Sequence, residues 1–282
     1  MSTVVFLGGG RITSAMLAGL RLSGTRHRMV VHDRNPGKLR DLKKRYAVAV
    51  EPDLNRAVNQ AEVLIVAVRP SSVRKLLQSV GEAIEQVNRA SFGRKTLGRK
   101  TFAVSLAAGV PLRALSRQLG PPVQWARAMP SPLCRSGRGL TAVTFSRSLP
   151  RADRKRVHDL FASFGQVVEI PEKKFDAFTV TYSCSHGYHA LAALAQAAED
   201  AGLDRRTALL ASAHALADGI IAWREGKHSL ESLLEVATTP GGIAAATAAK
   251  MDAAGYGRAV RQGVAAGLRR ARANAVNDFF GN

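Results

Sequence analysis

The chain has 282 residues, 46% of them hydrophobic, with 41 Lys+Arg against 21 Asp+Glu and a formal charge of +20. That length holds one large or two ordinary domains around a substantial core, and no run of about 18 or more uncharged apolar residues is present to form a membrane span. Two cysteines, Cys134 and Cys184, argue against a disulfide scaffold and for a cytoplasmic setting, and an apolar strand starting right after Met1-Ser2 leads to the expectation of no targeting segment.

The first element is a short buried strand, Thr3–Leu7, followed by Gly8-Gly9-Gly10-Arg11-Ile12-Thr13 and a helical pattern over 14–22, with the helix beginning near Ile12. Glycines at 8 and 10 let the backbone turn tightly and approach a pyrophosphate without an intervening Cβ, and the helix start offers unpaired N–H groups to the phosphates. Thr13 stands where the third glycine of such a turn is expected. A second strand over 29–32 ends at Asp33, placed as the carboxylate that bonds adenosine ribose hydroxyls. Arg34 next to it pulls the other way, because a guanidinium pairs with a 2′-phosphate. The pair leaves NAD(H) and NADP(H) open, with Arg34, Lys38 and Arg40 favouring NADP(H).

Pro36 opens a helix over Pro36–Tyr46, its missing N–H costing nothing at the first helical position. Then follow a strand over 48–50, a helix over 54–60, the apolar strand VLIVAV over 63–68, a helix over 73–84 and a strand over 102–106. Between the last two lies a basic cluster, Arg89, Arg94, Lys95, Arg99 and Lys100, with Gly93 and Gly98; it reads as an exposed loop without the interleaved aromatics that stack bases. The other basic residues are scattered, so nucleic-acid binding is not the expected main function. A helix over 112–119, strands over 123–126 and Gly139–Phe145, a helix over 151–164 and a strand over 166–170 complete a βαβα alternation. The fold class is therefore α/β, a doubly wound and mostly parallel sheet.

From Phe175 onward the composition turns Ala- and Leu-rich with helical spacing. Helices are predicted over 187–201, Arg205–Glu225, Leu230–Ala237, 243–254 and 257–276, punctuated by Gly202, Gly226, Gly241-Gly242 and Gly255. Two domains are expected, 1–171 binding the dinucleotide and 172–282 all-helical. Ala-rich helices approach closely, so a homodimer or higher homo-oligomer is expected.

Several strings in order carry a resemblance: FLGGGRITSAMLAGL, HDRNPGKL, VAVRP, SLAAGV, RAMP, GLTA and TTPGG. Together they make the chain similar to the pyrroline-5-carboxylate reductase family over nearly its whole length. The resemblance implies a Rossmann-type domain followed by an all-α dimerisation domain, NAD(P)H as cofactor and a small cyclic imine, 1-pyrroline-5-carboxylate, reduced to L-proline. It places the pyrophosphate on Gly8, Gly10, Arg11, Ile12 and Thr13, and the adenosine end at Asp33 and Arg34. It places the nicotinamide side along Ala67, Val68, Arg69, Pro70, Ala107, Ala108 and Gly109, with Met129 and Pro130 beside the reacting centre.

The chain departs from the family where substrate is expected. The family's MPNTP is Met129-Pro130-Ser131-Pro132-Leu133 here, its SGSGPAY is Tyr182-Ser183-Cys184-Ser185-His186-Gly187-Tyr188, and its TSPGGTT is Thr238-Thr239-Pro240-Gly241-Gly242-Ile243-Ala244. Arg138 stands where the family has an acid. Candidate substrate groups are Met129, Pro130, Ser131, Ser183, Ser185, Gly241 and Gly242; candidate catalytic groups are His186, Tyr188 and Thr239, with His186 a proton donor or a plain helix-start histidine. No metal site is expected, since His186 and His189 lack a third ligand at matching spacing. Two other readings stay open: a paralogue acting on another imine or carbonyl, and a non-catalytic dinucleotide sensor that binds polyanions.

Overall fold

The computed structural model describes residues 2–90 and 102–279. The expected basic loop, with Arg94, Lys95, Arg99 and Lys100, lies outside the described residues, as does the side chain of Arg89. By its contacts the chain forms two compact units, one running up to Tyr182 and including the chain from Gly267, the other spanning Ser183–Ala266.

The first unit is built on β1 (Thr3–Leu7), β2 (Arg28–His32), β3 (Ala49–Val50), β4 (Val63–Val66), β5 (Phe102–Ser105), β6 (Gln124–Pro130), β7 (Gly139–Phe145) and β8 (Gly165–Glu169). They make one sheet in the order β3-β2-β1-β4-β5-β6-β7-β8. All neighbours are parallel except β6 and β7, which run antiparallel, so β7 and β8 point against the rest. Side chains alternate between two buried faces. Val4 and Phe6 pack with Met16, Leu17 and Leu20 of α1 (Arg11–Leu22), with Leu39 and Leu42 of α2 (Pro36–Tyr46), and with Val157, Leu160 and Phe161 of α6 (Arg151–Ala162). Val5 and Leu7 face the other core, with Ala57 of α3 (Leu54–Asn59), Val73, Leu77 and Val80 of α4 (Pro70–Ala90), and Leu115 of α5 (Leu112–Gln118). The alternating strands and helices thus build the expected doubly wound sheet.

Caps set several helix starts. Asn35 Oδ1 accepts the amides of Gly37 and Lys38 ahead of α2, and Asp53 accepts that of Arg56 ahead of α3. Where the sequence predicts a strand only over 123–126, β6 continues to Pro130 through Arg127, whose side chain is 2% exposed. Its guanidinium meets Glu172 Oε1 at 3.2 Å and Asp176 Oδ1 at 3.0 Å, and lies 4.3 Å from the Phe175 ring centroid. All three partners belong to α7 (Glu172–Thr181), a helix the sequence reading did not single out. Through them the sheet-bearing unit extends past the expected boundary at residue 171 to Tyr182, at the end of α7.

The second unit holds α8 (Cys184–Asp200), α9 (Arg205–Glu225), α10 (Leu230–Ala237), α11 (Ile243–Ala253) and the first part of α12 (Tyr256–Phe279). Asp204 caps α9 through the amides of Arg206 and Thr207, and Ser229 caps α10 through that of Ser232. Within this unit α8 packs on α9, burying Ala195, Ala208 and Ser212. Large apolar side chains stay exposed, Leu210 at 60% and Ile243 at 91% among them. No described helix is long and apolar enough to cross a membrane.

Candidate functional site

The reversal of strand order between β1 and β4 opens a crevice at the carboxyl ends of the strands, where sheets of this kind bind ligands. Gly8 leaves β1 at φ +114°, a conformation that disfavours any side chain, and a Cβ there would sit 2.7 Å from the Ala67 carbonyl oxygen. Its amide donates to the His32 carbonyl at 2.8 Å, and its own carbonyl accepts the buried Thr13 hydroxyl at 2.5 Å. Thr13 therefore closes the turn from inside the helix, in place of the expected glycine. Gly10 is the N-cap of α1, without a side-chain cap and with no acidic residue in the first turn. The amides of that turn, including those of Arg11 and Ile12, form a positive, uncapped helix start suited to an anion.

Asp33 is bound into the same turn. Its Oδ2 accepts the Gly9 amide at 2.8 Å, its Oδ1 the Asn35 amide at 2.8 Å, and Lys38 Nζ lies 3.6 Å away. Burial raises the carboxyl, but the Gly9 and Asn35 amides and the Lys38 ammonium outweigh it and hold Asp33 below the ordinary carboxylate value. Arg34 is exposed beside it. A cavity of about 620 Å³ is lined by Gly8, Gly10, Asp33, Arg34, Ala67, Val68 and Arg69, with Lys38 and Lys75 adding positive charge. Space beside Gly10 is open, with nothing within 4 Å of an added Cβ. The shape, the bare helix start and the cations suit the pyrophosphate and adenosine end of a dinucleotide. Pro70 begins α4 just beyond.

Ala107, Ala108 and Gly109 follow β5 at the same edge but do not line that cavity. Gly109 has φ +78°, and a Cβ there would collide with the Ala271 carbonyl oxygen of α12; the Ala108 carbonyl accepts Asn274 Nδ2 at 3.3 Å. Met129 and Pro130 end β6, and Ser131 caps the 3-10 helix Pro132–Ser136 by accepting the Leu133 amide at 3.2 Å. Cys134 within it is buried, and burial pushes its thiol up to about 11. Tyr182 joins Ser131 here, its hydroxyl donating to Ser131 Oγ at 3.1 Å. Sequence reasoning missed this contact, which spans 51 residues.

The other candidates belong to the helical unit. Ser183 caps α8, its Oγ 2.7 Å from that of Ser185, and its carbonyl accepts the His186 amide at 3.1 Å. His186 is exposed, and Tyr188 is 67% exposed. Thr239 and Gly241-Gly242 lie on the separate turn between α10 and α11, where the Gly242 amide donates to the Thr239 carbonyl at 3.0 Å and Gly241 has φ +80°. Among the described residues, no three His, Cys, Asp or Glu side chains are grouped to hold a metal.

Two family models match the chain: NADP oxidoreductase, coenzyme F420-dependent, over residues 3–88, and pyrroline-5-carboxylate reductase dimerisation over residues 172–274. Among curated relatives, the pyrroline-5-carboxylate reductase of Synechocystis sp. is 27% identical over 270 residues, covering 94% of this chain and 96% of that protein. That of Mycobacterium tuberculosis is 27% identical over 290 residues, covering 96% of each. In fold, the chain is similar to the 1-pyrroline-5-carboxylate reductase of Streptococcus pyogenes, with a TM-score of 0.84 at 22% identity, covering 96% of this chain and 98% of that one. The Plasmodium falciparum pyrroline carboxylate reductase solved with NADP bound gives a TM-score of 0.83 at 18% identity, covering 97% and 98%.

Proposed function

We infer the activity of this chain from one premise: it belongs to the pyrroline-5-carboxylate reductase family. It is an NAD(P)H-dependent oxidoreductase acting on carbon–nitrogen bonds, and its substrate is 1-pyrroline-5-carboxylate, reduced to L-proline. The observation that carries the reading is the uncapped α1 start closed by Thr13 and Gly8, in a chain whose helical unit matches the family's dimerisation model.

When bound, the reduced nicotinamide supplies a hydride to the imine carbon. The amides of Arg11 and Ile12 hold the pyrophosphate, and Ala67, Val68 and Arg69 line the path beyond it. Arg34, exposed on the cavity lining, and Lys38 beside it are the cations proposed to take the 2′-phosphate of NADP(H). The protein positions two rings and fixes the substrate carboxylate, so it needs no covalent nucleophile. Ser131, Ser183, Ser185 and the Gly241-Gly242 turn are the proposed substrate donors, and Met129 and Pro130 border the ring. His186 is the proposed proton donor to the imine nitrogen, with Tyr188 and Thr239 as supporting hydroxyls. The exposed apolar side chains of the helical unit, Leu210 and Ile243 among them, are the surface through which two copies pair.

The test is NADPH and NADH oxidation with 1-pyrroline-5-carboxylate against a panel of cyclic imines. The carboxylated pyrroline is expected to give the highest kcat/KM. No turnover of it at high enzyme concentration rejects the proposed substrate.

A further inference from the structure

This inference rests on the imine-reductase reading and deepens it at one residue pair. β1, β4, β5 and β6 run parallel, so Ser131 after β6 leaves the sheet at the same edge as Gly8 after β1 and Ala67 after β4. The Ser131 side chain is largely enclosed, the residue being 7% exposed. Its oxygen accepts twice, from the Leu133 amide at 3.2 Å and from the Tyr182 hydroxyl at 3.1 Å. Tyr182 Oη in turn accepts the Leu140 amide at 2.7 Å, which turns the phenol proton toward Ser131.

A hydroxyl has one proton and two lone pairs. With both lone pairs of Ser131 engaged, only its proton remains to offer, and among the described residues no acceptor takes it. The chain of N–H to Tyr182 O–H to Ser131 O–H polarises each member in turn and strengthens the terminal donor. We propose that Tyr182 is a positioning residue that makes the Ser131 hydroxyl an obligate donor, and that the group it reads is the substrate carboxylate. The imine nitrogen has a single lone pair, which the proton from His186 takes, so it leaves nothing for an obligate donor on Ser131 to bind. A carboxylate only accepts. Both residues are departures from the family strings, Ser131 standing for the Asn of MPNTP and Tyr182 for the first Ser of SGSGPAY.

The test compares kcat/KM for 1-pyrroline-5-carboxylate with that for 1-pyrroline, the same ring without a carboxylate, at saturating NADPH. Ser131→Ala is expected to lower this ratio about tenfold, the loss of one hydrogen bond to a charged acceptor. Tyr182→Phe frees a lone pair on Ser131 and is expected to lower the ratio about threefold, through KM for the carboxylated substrate. The double variant is expected to match Ser131→Ala alone, because Tyr182 acts only through Ser131, while Ser131→Thr retains most of the preference. A Tyr182→Phe protein that loses activity equally on both substrates, with the ratio in place, overturns the positioning role of Tyr182. A ratio unmoved by Ser131→Ala, or independent losses adding in the double variant, overturns the proposal while leaving the reductase activity standing. A wild type that reduces neither ring overturns the activity and this inference with it.

Discussion

Replacing Arg127 by Met keeps most of the stem volume and removes the cation from the middle of the sheet. The guanidinium side chain is 2% exposed, and its partners Glu172 and Asp176 are 34% and 29% exposed. Breaking a buried ion pair by removing one partner costs about 3–5 kcal/mol, because the remaining charge is left uncompensated. Here both carboxylates can recover part of their hydration, and Arg127 Nε has no hydrogen-bond partner among the described residues. Both points favour the lower end, about 3 kcal/mol. For a chain of this length each kcal/mol moves the melting temperature by roughly 2 °C, so Tm should fall by about 6 °C. Glu172 also accepts the Leu112 amide at 2.6 Å, so the start of α5 should lose protection from hydrogen exchange together with α7. The assay is thermal and denaturant unfolding at fixed protein concentration. The triple variant Arg127→Met, Glu172→Gln, Asp176→Asn should recover much of the loss, since it removes both charge signs together. A single variant within about 0.5 kcal/mol of wild type, the usual range for surface substitutions, would refute the reasoning. So would a triple variant no more stable than the single one.

Arg34→Ala should raise KM for NADPH about tenfold or more with little effect on KM for NADH, the loss of one charged contact to the 2′-phosphate; equal effects on both cofactors sink the assignment. Asp33→Asn tests the anchored turn through pH. The folded carboxyl lies below its ordinary value, so its contribution is complete above about pH 4 and fades as pH falls through the lower folded value. The variant should therefore melt below wild type at neutral pH, with the gap closing in strong acid. A gap that widens on acidification contradicts the sign. His186→Ala should lower kcat with little change in KM for NADPH; unchanged kinetics in a folded variant make His186 structural.

The parts of the fold legible in the sequence are those fixed by neighbours along the chain. α2, α9 and α10 begin and end where the sequence places them, because Asn35-Pro36, Asp204 and Ser229 are local start signals with local hydrogen bonds. β6 was legible only as far as Ala126, because a charged residue in an apolar run looks like a strand end unless its partners 45 and 49 residues away are known. α7 was hidden for the matching reason: EKKFDAFTVT buries only Phe175 and closes on β-branched residues, so its periodicity is faint and its purpose lies in the sheet. The dinucleotide turn stood out because its glycines act locally, Gly8 through its φ of +114° and Gly10 by leaving the helix start open. How Thr13 substitutes for a glycine did not, since that depends on its hydroxyl reaching back five residues to the Gly8 carbonyl. The Ser131–Tyr182 pair was out of reach of any local pattern for the same cause.

The Arg127 ion pair also bears on how the protein is made. A ribosome delivers β6 well before α7, and until residues 172–176 emerge the growing sheet carries a cation with no counter-charge in its interior. Closing the sheet around Arg127 is therefore favoured only once α7 is in hand. The sheet around Arg127 thus waits on α7, and a nascent chain stopped at residue 171 ends with its central charge bare.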